Sequence, residues 1–178
     1  MAAHSSGIGK EQDPCGNDGV SSMTGEAQSE VLSWELMESR IRGYFDDCNS
    51  GDVARIAANF EPDGVHYFPP GTYEGPFRGA RTIAEKWHMA VETLGSCWTV
   101  DNVMCDPPRR RAVIEWTHFK RAQGIVLRGD EWYEFSPRGL IREIRAYYAS
   151  PQDPALKNLE LGGFDYASRG YPLRPPGT

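Results

Sequence analysis

Long apolar runs are missing from this sequence, and so is an excess of positive charge. No stretch approaches the roughly 18 consecutive apolar residues that a membrane-spanning helix needs, which predicts a soluble protein with no membrane partner. Lysine and arginine number 19 against 25 aspartates and glutamates, giving a formal net charge of −6. A chain with this balance lacks the basic surface that nucleic-acid binding demands, so no nucleic-acid partner is expected.

Cysteines are few, and the common catalytic motifs are absent. The widely spaced cysteines form no C-x-x-C pair, which disfavours a zinc knuckle and a disulfide scaffold alike. The first residues lack the basic and apolar segments of a secretory signal, so we expect a cytoplasmic protein with reduced thiols. No glycine-rich phosphate loop, nucleophile elbow or His-Glu-x-x-His motif occurs. Any chemistry must therefore come from residues that the fold brings together.

The chain of 178 residues has room for one domain, flanked by two segments of different composition. Residues 1–29 contain almost no large apolar side chain, which predicts a disordered leader. Residues 30–150 carry the periodic patterns of ordered structure. Residues 151–178 are rich in proline and glycine but keep several leucines and aromatics, so we expect this tail to lie across the domain.

Three helices are predicted in the first half of the domain. Apolar residues recur at three- and four-residue spacing from Val31 to Cys48, and Asn49-Ser50-Gly51 should end that helix. Asp52 is expected to cap a second helix from Val53 to Phe60. A third helix runs from about Ala80 to Leu94, with one apolar face.

Strand patterns dominate the rest of the domain. A turn at Pro62-Asp63-Gly64 precedes a short strand, and four longer strands follow the third helix with short turns between them. The predicted strands are Val65 to Phe68, Ser96 to Met104, Ala112 to Lys120, Ile125 to Phe135 and Leu140 to Ala149. Helices followed by an antiparallel meander predict an α+β fold and exclude a doubly wound parallel sheet.

The order of these signals resembles the nuclear-transport-factor-2-like superfamily, which includes SnoaL-like cyclases, ketosteroid isomerase and scytalone and bile-acid dehydratases. The residues that carry the resemblance are Asn49 to Asp52, Phe60 to Pro69 and Gly71 to Gly75, between helices in the same order. The resemblance implies a conical α+β barrel, in which a strongly bent antiparallel sheet wraps around the long N-terminal helix. One deep apolar pocket is left at the open end of this cone. It also implies a homodimer formed through the sheet.

Four positions can be compared with the family's functional residues. Tyr44 falls where ketosteroid isomerase keeps its oxyanion-binding tyrosine, and Glu131 matches the second, proton-sharing acid of that oxyanion hole. Phe68 stands where that enzyme has its proton-shuttling aspartate, and Ala146 stands where SnoaL-like cyclases have theirs. Since neither side chain accepts a proton, the family's own base is missing, and another residue must take its role.

Strand alternation completes the expected pocket. If Glu131 faces it, then His118 on the neighbouring strand and His66 beside Phe68 face it too. The expected catalytic residues are therefore Tyr44, His66, His118 and Glu131. The expected substrate-binding residues are Phe68, Trp87, Trp116, Tyr133, Ile144 and Tyr148. A register slip of one residue would replace His118 and Glu131 by Thr117 and Asp130, and would bring Glu115 inward.

No metal or other cofactor is expected. His66, His118 and Glu131 match the residue types of a two-histidine, one-carboxylate metal site. They come from three strands without diagnostic spacing, however, and lyases and isomerases of the superfamily mostly work without metal.

The preferred function is a cofactor-independent lyase acting on a hydroxylated aromatic or polycyclic small molecule. Elimination needs an acid for the departing hydroxyl and a base for a carbon-bound proton, and a histidine, tyrosine and glutamate pocket supplies both. A related reaction is dehydroxylation through a quinone methide with loss of a one-carbon fragment. The alternatives are a SnoaL-like isomerase or cyclase of polyketide or terpenoid biosynthesis and a non-catalytic small-molecule binding domain.

Two further expectations concern surfaces. Trp132, Phe119 and Tyr147 should lie on the sheet face opposite the pocket, where their exposure favours a homodimer that buries them. The segment Gly162 to Tyr166 resembles the aromatic tail that covers the pocket in scytalone dehydratase, which implies a hinged lid.

Overall fold

The computed structural model describes residues 32–68, 76–148, 158–159, 167–168 and 170–177. The predicted leader, residues 1–29, lies outside them. The described residues form three α-helices, seven strands and one 3₁₀ turn. The helices are α1 (Trp34–Ser50), α2 (Val53–Ala58) and α3 (Ala80–Leu94), and the 3₁₀ turn is Pro107–Arg109. The strands are β1 (Phe60–Tyr67), β2 (Phe77–Arg78), β3 (Ser96–Asp106), β4 (Arg111–Lys120), β5 (Ile125–Phe135), β6 (Ile141–Tyr148) and β7 (Asn158–Leu159).

Local sequence explains where the first two helices meet. Gly51 takes a left-handed conformation, φ 67°, and its N–H donates to the Cys48 carbonyl, which ends α1. One residue later, Asp52 caps α2, because its Oδ1 accepts from the backbone N–H groups of Ala54 and Arg55 at 2.8 and 3.1 Å. Asp47 also joins the two helices, since its carboxylate pairs with Arg55 at 2.7 Å and accepts from Asn59 at 2.8 Å.

The second helix is shorter than predicted, and the first strand is longer. Phe60 does not end α2 but begins β1, because it pairs with Ile141 across the sheet. The predicted Pro62-Asp63-Gly64 turn is an irregularity inside β1: five residues advance from Phe60 to Val65, while only two advance on β6, from Ile141 to Glu143. Sheet pairing at both ends of this segment therefore overrides its local turn preference.

The sheet confirms the α+β fold class. The strand order is β2-β1-β6-β5-β4-β3, and the sheet is curved without closing into a complete barrel. Strands β3 to β6 form the predicted antiparallel meander, whereas β1 joins β6 in parallel and β7 pairs in parallel with the start of β5. The core lies between the helices and the concave face of this sheet. No helix among the described residues is long and apolar enough to span a membrane.

The register decides which side chains face that core. Glu131 lies opposite Ile114 on β4 and Ala146 on β6, and Gly129 lies opposite Trp116. This is the unslipped register, with Thr117 and Asp130 on the convex face. Burial on β5 follows the same alternation from Gly129 to Tyr133, with Asp130 and Trp132 exposed.

Candidate active site

His66 lies at the centre of the concave face. It is fully buried on β1, opposite Ile144 of β6. Its ring stacks on Phe68 at 4.2 Å between centroids and meets the edge of Trp87 at 5.2 Å. Neither ring nitrogen finds a hydrogen-bond partner among the described residues. Since buried polar atoms are almost always paired, this histidine has its hydrogen-bonding capacity free for a ligand.

Glu131 faces His66 from β5. Its Oε1 lies 3.6 Å from His66 Nε2, and its Oε2 accepts a 2.5 Å hydrogen bond from the Tyr133 hydroxyl. Burial raises the pKa of Tyr133 well above its ordinary value, and the neighbouring Glu131 charge adds to the shift. Tyr133 therefore keeps its proton and holds the glutamate in place as a hydrogen-bond donor. The separation of 3.6 Å is too long for a hydrogen bond, but it keeps the imidazole and the carboxylate electrostatically coupled.

Tyr44 joins the same cluster through Trp87. The indole Nε1 of Trp87 donates to the Tyr44 hydroxyl oxygen at 2.7 Å, and the two rings connect α1 to α3. Burial, followed by the nearby Cys48 and Glu131, raises the pKa of Tyr44 well above its ordinary value. This hydroxyl therefore acts as a hydrogen-bond donor rather than as a phenolate.

His118 lies apart from this cluster. It is opposite Leu127 on β5, four residues along the strand from the Ile114–Glu131 pair, which is about 13 Å at the usual strand rise. Its Nε2 is 2.9 Å from the Ser96 hydroxyl and its ring stacks on Trp98. Burial, with a smaller contribution from Lys120, lowers the pKa of His118 to about 3. The structure therefore brings together Tyr44, His66 and Glu131 and separates His118 from them.

Aromatic and aliphatic side chains surround the cluster. Ile144 is fully buried beside His66 on the neighbouring strand β6, and Phe68 is half-buried against Phe77 and Trp87. Trp116 and Tyr148 form a second wall, with ring centroids 5.4 Å apart in an edge-to-face arrangement. All six predicted substrate-binding residues therefore lie on or beside the concave face.

Two wall residues were missed by the sequence reasoning. Phe77 lies in the two-residue strand β2, which is too short to give a periodic signal. Trp98 lies on β3, where it packs 5.6 Å from Trp87 and so connects His118 to the rest of the aromatic cluster. Pairing of β3 with β4 places Trp98 opposite His118, so alternation along the predicted strand from Ser96 to Met104 could have found it.

Residues 171–176 of the tail contact the convex face, away from His66, whereas residues 158–159 pair with β5 in the sheet. Tyr171 donates to Glu115, the Pro172 carbonyl accepts from Arg128 at 3.2 Å, and the Pro176 carbonyl accepts from Arg121 at 3.3 Å. The segment Gly162 to Tyr166, predicted as a lid, lies outside the described residues.

Arg128 is buried beneath this tail and binds the Thr117 hydroxyl, which in turn donates to Asp101. At this end of the sheet both faces are covered. Phe119 is accordingly only 3% exposed, so the prediction that it is an exposed aromatic of the convex face is wrong. Trp132 and Tyr147 do lie there, 44% and 51% exposed.

Other arrangements that could hold a ligand are less suited to the predicted chemistry. Among the described residues, no three histidine, cysteine, aspartate or glutamate side chains converge as a metal site requires. A cleft of about 590 Å³ opens beside β1 and β6, away from the His66–Glu131 pair. Its lining is mostly charged and includes none of the predicted site residues. The lining residues are Asp63, Val65, Arg78, Gly79, Glu134, Arg142 and Glu143.

Comparison with known proteins gives one family match and several similar structures. A family model described as a SnoaL-like domain matches residues 41–144. A crystal structure of a protein of unknown function with a cystatin-like fold, from Methylobium petroleophilum PM1, is 55% identical. It covers 83% of this chain and 98% of its own, with a TM-score of 0.67. No curated protein matches the sequence.

Two more distant structures share the fold. SalBIII, described as an epoxide hydrolase/cyclase-like enzyme of pyran ring formation in the polyether salinomycin, is 14% identical. The match covers 65% of this chain and 92% of SalBIII, with a TM-score of 0.54. A SnoaL-like protein of unknown function from Burkholderia thailandensis E264 is 15% identical, with 67% and 99% of the chains covered and a TM-score of 0.56.

Proposed function

Because this chain belongs to the SnoaL-like domain family of the nuclear-transport-factor-2-like superfamily, we propose that it is a cofactor-independent lyase. It removes water from a hydroxylated aromatic or polycyclic small molecule by general acid and base catalysis. Members of the superfamily include isomerases, cyclases and dehydratases, so the family alone does not select the reaction. The observation that carries the proposal is the unpartnered, fully buried His66 at 3.6 Å from Glu131.

His66 supports the role of acid and base because its ring nitrogens are buried without a hydrogen-bond partner among the described residues. A neutral imidazole accepts a proton at such a nitrogen. The imidazolium that forms lies beside Glu131, whose position is fixed by the Tyr133 hydroxyl. An opposite charge at this distance stabilises the cation while it exists.

In the proposed elimination, His66 accepts one proton and later returns the same proton. His66 takes the proton from a substrate carbon, and the electrons of that C–H bond form the new double bond as the C–O bond breaks. The imidazolium then gives the proton to the departing hydroxide, which leaves as water, and His66 returns to its neutral form. The Tyr44 oxygen accepts from Trp87 and its hydroxyl also forms a hydrogen bond with Cys48, so the Tyr44 proton must turn from Cys48 towards a substrate oxygen in order to polarise it. The surrounding aromatic rings exclude water and strengthen these polar contacts.

The positions of Phe68 and Ala146 favour this assignment over the usual base of the family. Phe68 stacks directly on His66, and Ala146 lies opposite Glu131, so both places carry apolar groups. His118 is a weaker candidate for the base because it is bound to Ser96 and because its lowered pKa keeps it neutral. Isomerisation or cyclisation would use the same His66–Glu131 pair and would differ only in retaining the hydroxyl oxygen.

The test is a comparison of histidine variants on hydroxylated aromatic substrates, followed by mass spectrometry for loss of one water. His66→Gln should lower kcat by about 10²–10⁴, the usual contribution of a general acid or base. His118→Gln should keep kcat within a few-fold. The exposed His88 supplies a matched control, and His88→Gln should be unchanged.

Full activity of His66→Gln would refute the proposal. A product of unchanged mass that still depends on His66 would identify an isomerase or cyclase instead. Binding without turnover of any such substrate would favour the binding-domain alternative. Since the proposed elimination uses only side chains of this protein as acid and base, the activity should survive exhaustive treatment with a chelator.

A further inference from the structure

Trp116 carries a hydrogen-bond donor that nothing in the proposed reaction uses. The residue lies on β4 and is 4% exposed, yet its indole Nε1 finds no hydrogen-bond partner among the described residues. Buried tryptophans usually pair this N–H, because leaving it unpaired costs free energy. A second buried indole at the site, that of Trp87, does pair, with Tyr44. The unpaired donor therefore indicates a missing acceptor.

The position of Trp116 defines where that acceptor would lie. Trp116 is on the concave face opposite Gly129, which is two residues before Glu131 on β5. At the usual strand rise, this places Trp116 about 7 Å along the strand from the level of Glu131. Both residues are therefore within reach of one small flat molecule.

Gly129 allows the indole to lie against the sheet. A Cβ at this position would be 2.6 Å from Trp116 Cζ2 and 2.0 Å from the Tyr147 carbonyl oxygen, so any larger residue would displace the ring. Tyr148 contacts the ring edge-to-face on the other side. The indole is thus fixed by packing alone, which leaves its N–H available to a ligand.

We propose that Trp116 Nε1 donates a hydrogen bond to a substrate oxygen at the end remote from His66. The substrate is then an aromatic compound oxygenated at both ends, with the reacting hydroxyl beside His66 and an ether, carbonyl or hydroxyl oxygen about one ring away. This inference rests on the proposed function for the identity of the reacting end. It adds a specificity requirement, because an indole N–H only donates and cannot pair with a donor or with an apolar group.

The experiment compares two neutral probes that do not require turnover. They are 4-methoxybenzyl alcohol, which has an acceptor oxygen para to the alcohol, and 4-ethylbenzyl alcohol, which has a methylene in its place. The wild-type protein should bind the methoxy probe about two- to tenfold more tightly, the usual contribution of one neutral hydrogen bond. Trp116→Phe should bind the two probes equally. The exposed Trp132 on the convex face supplies the control, and Trp132→Phe should keep the wild-type ratio.

Nuclear magnetic resonance of the wild-type protein gives a second measurement that needs no variant. The Trp116 indole N–H signal, assigned through its proximity to Gly129, should move downfield with the methoxy probe and not with the ethyl probe. Equal wild-type affinities, a ratio that survives in Trp116→Phe, or no binding of either probe would each overturn the inference. Because these measurements involve no catalysis, they succeed or fail separately from the His66 activity test.

Discussion

Acidification should destabilise this protein through His118, and the size of the effect follows from its burial. The ordinary histidine pKa is 6.5, and burial lowers the pKa of His118 to about 3 in the folded state. Between pH 6.5 and about 3, His118 is therefore protonated in the unfolded chain but neutral in the folded protein. Stability rises with pH wherever the unfolded state binds more protons, so this contribution is complete above pH 6.5 and is lost as the pH falls towards 3.

The magnitude is large enough to measure. At pH 5 the unfolded histidine is almost fully protonated and the folded one is neutral, which costs about 2 kcal/mol of unfolding free energy. His118→Gln keeps a side chain that can bind the Ser96 hydroxyl but does not titrate. Between pH 7 and pH 5, the free energy of unfolding of the variant should therefore fall by about 2 kcal/mol less than that of wild type. This difference does not depend on the stability of the variant at pH 7.

Urea unfolding at a series of pH values measures this difference directly. All other titrations are common to both proteins, so the difference between their slopes isolates His118. Parallel loss of stability in wild type and His118→Gln would show that His118 takes up protons in the folded state. That result would refute its assignment as a neutral packing residue and return it to the catalytic candidates.

Two further predictions concern the sheet. Gly129→Ala should lower the free energy of unfolding, measured by urea titration, by at least about 2 kcal/mol. The reason is that the added Cβ meets the Tyr147 carbonyl oxygen and the Trp116 ring. Unchanged stability would show that the strands β5 and β6 are packed less closely than described. Trp132→Lys should convert a homodimer of 19.9 kDa chains to monomers in light scattering at micromolar concentration, because Trp132 and Tyr147 are the exposed aromatics of the convex face. A wild-type monomer, or a variant that still dimerises, would count against a dimer through this face.

Apolar periodicity and breaking residues were sufficient to predict the bounds of some helices and strands. The third helix, Ala80 to Leu94, and the fifth strand, Ile125 to Phe135, have the predicted bounds. Apolar spacing and the breaking residues on either side determine such elements, and both are readable along the chain. The resemblance assigned Glu131 to the pocket face, and alternation then predicted that its neighbours Asp130 and Trp132 face away, as they do.

Pairing between strands that are distant in sequence determined two features of the sheet that local sequence patterns did not predict. Phe60 continues an apolar helical stripe, but its pairing with Ile141 makes it a strand residue. The parallel junction of β1 with β6 was likewise missed, since the first strand and the last strand of the meander are about 80 residues apart in sequence, and no local pattern records which of them meet.

Residue order and periodicity by themselves determined the α+β fold class and the alternation along each strand. The resemblance to the family, and not periodicity, supplied the comparison that puts Phe68 and Ala146 where relatives carry an acid or base. The choice between the two strand registers came from the structure. Only the tertiary structure separated the two buried histidines. Parity puts His66 and His118 on the same face, but distance along the sheet and hydrogen-bond partners differ: His118 is bound to Ser96, while His66 is unpaired beside Glu131. The unpaired Trp116 N–H could likewise be found only in the tertiary structure. Whether a buried donor meets an acceptor depends on all the strands packed around it.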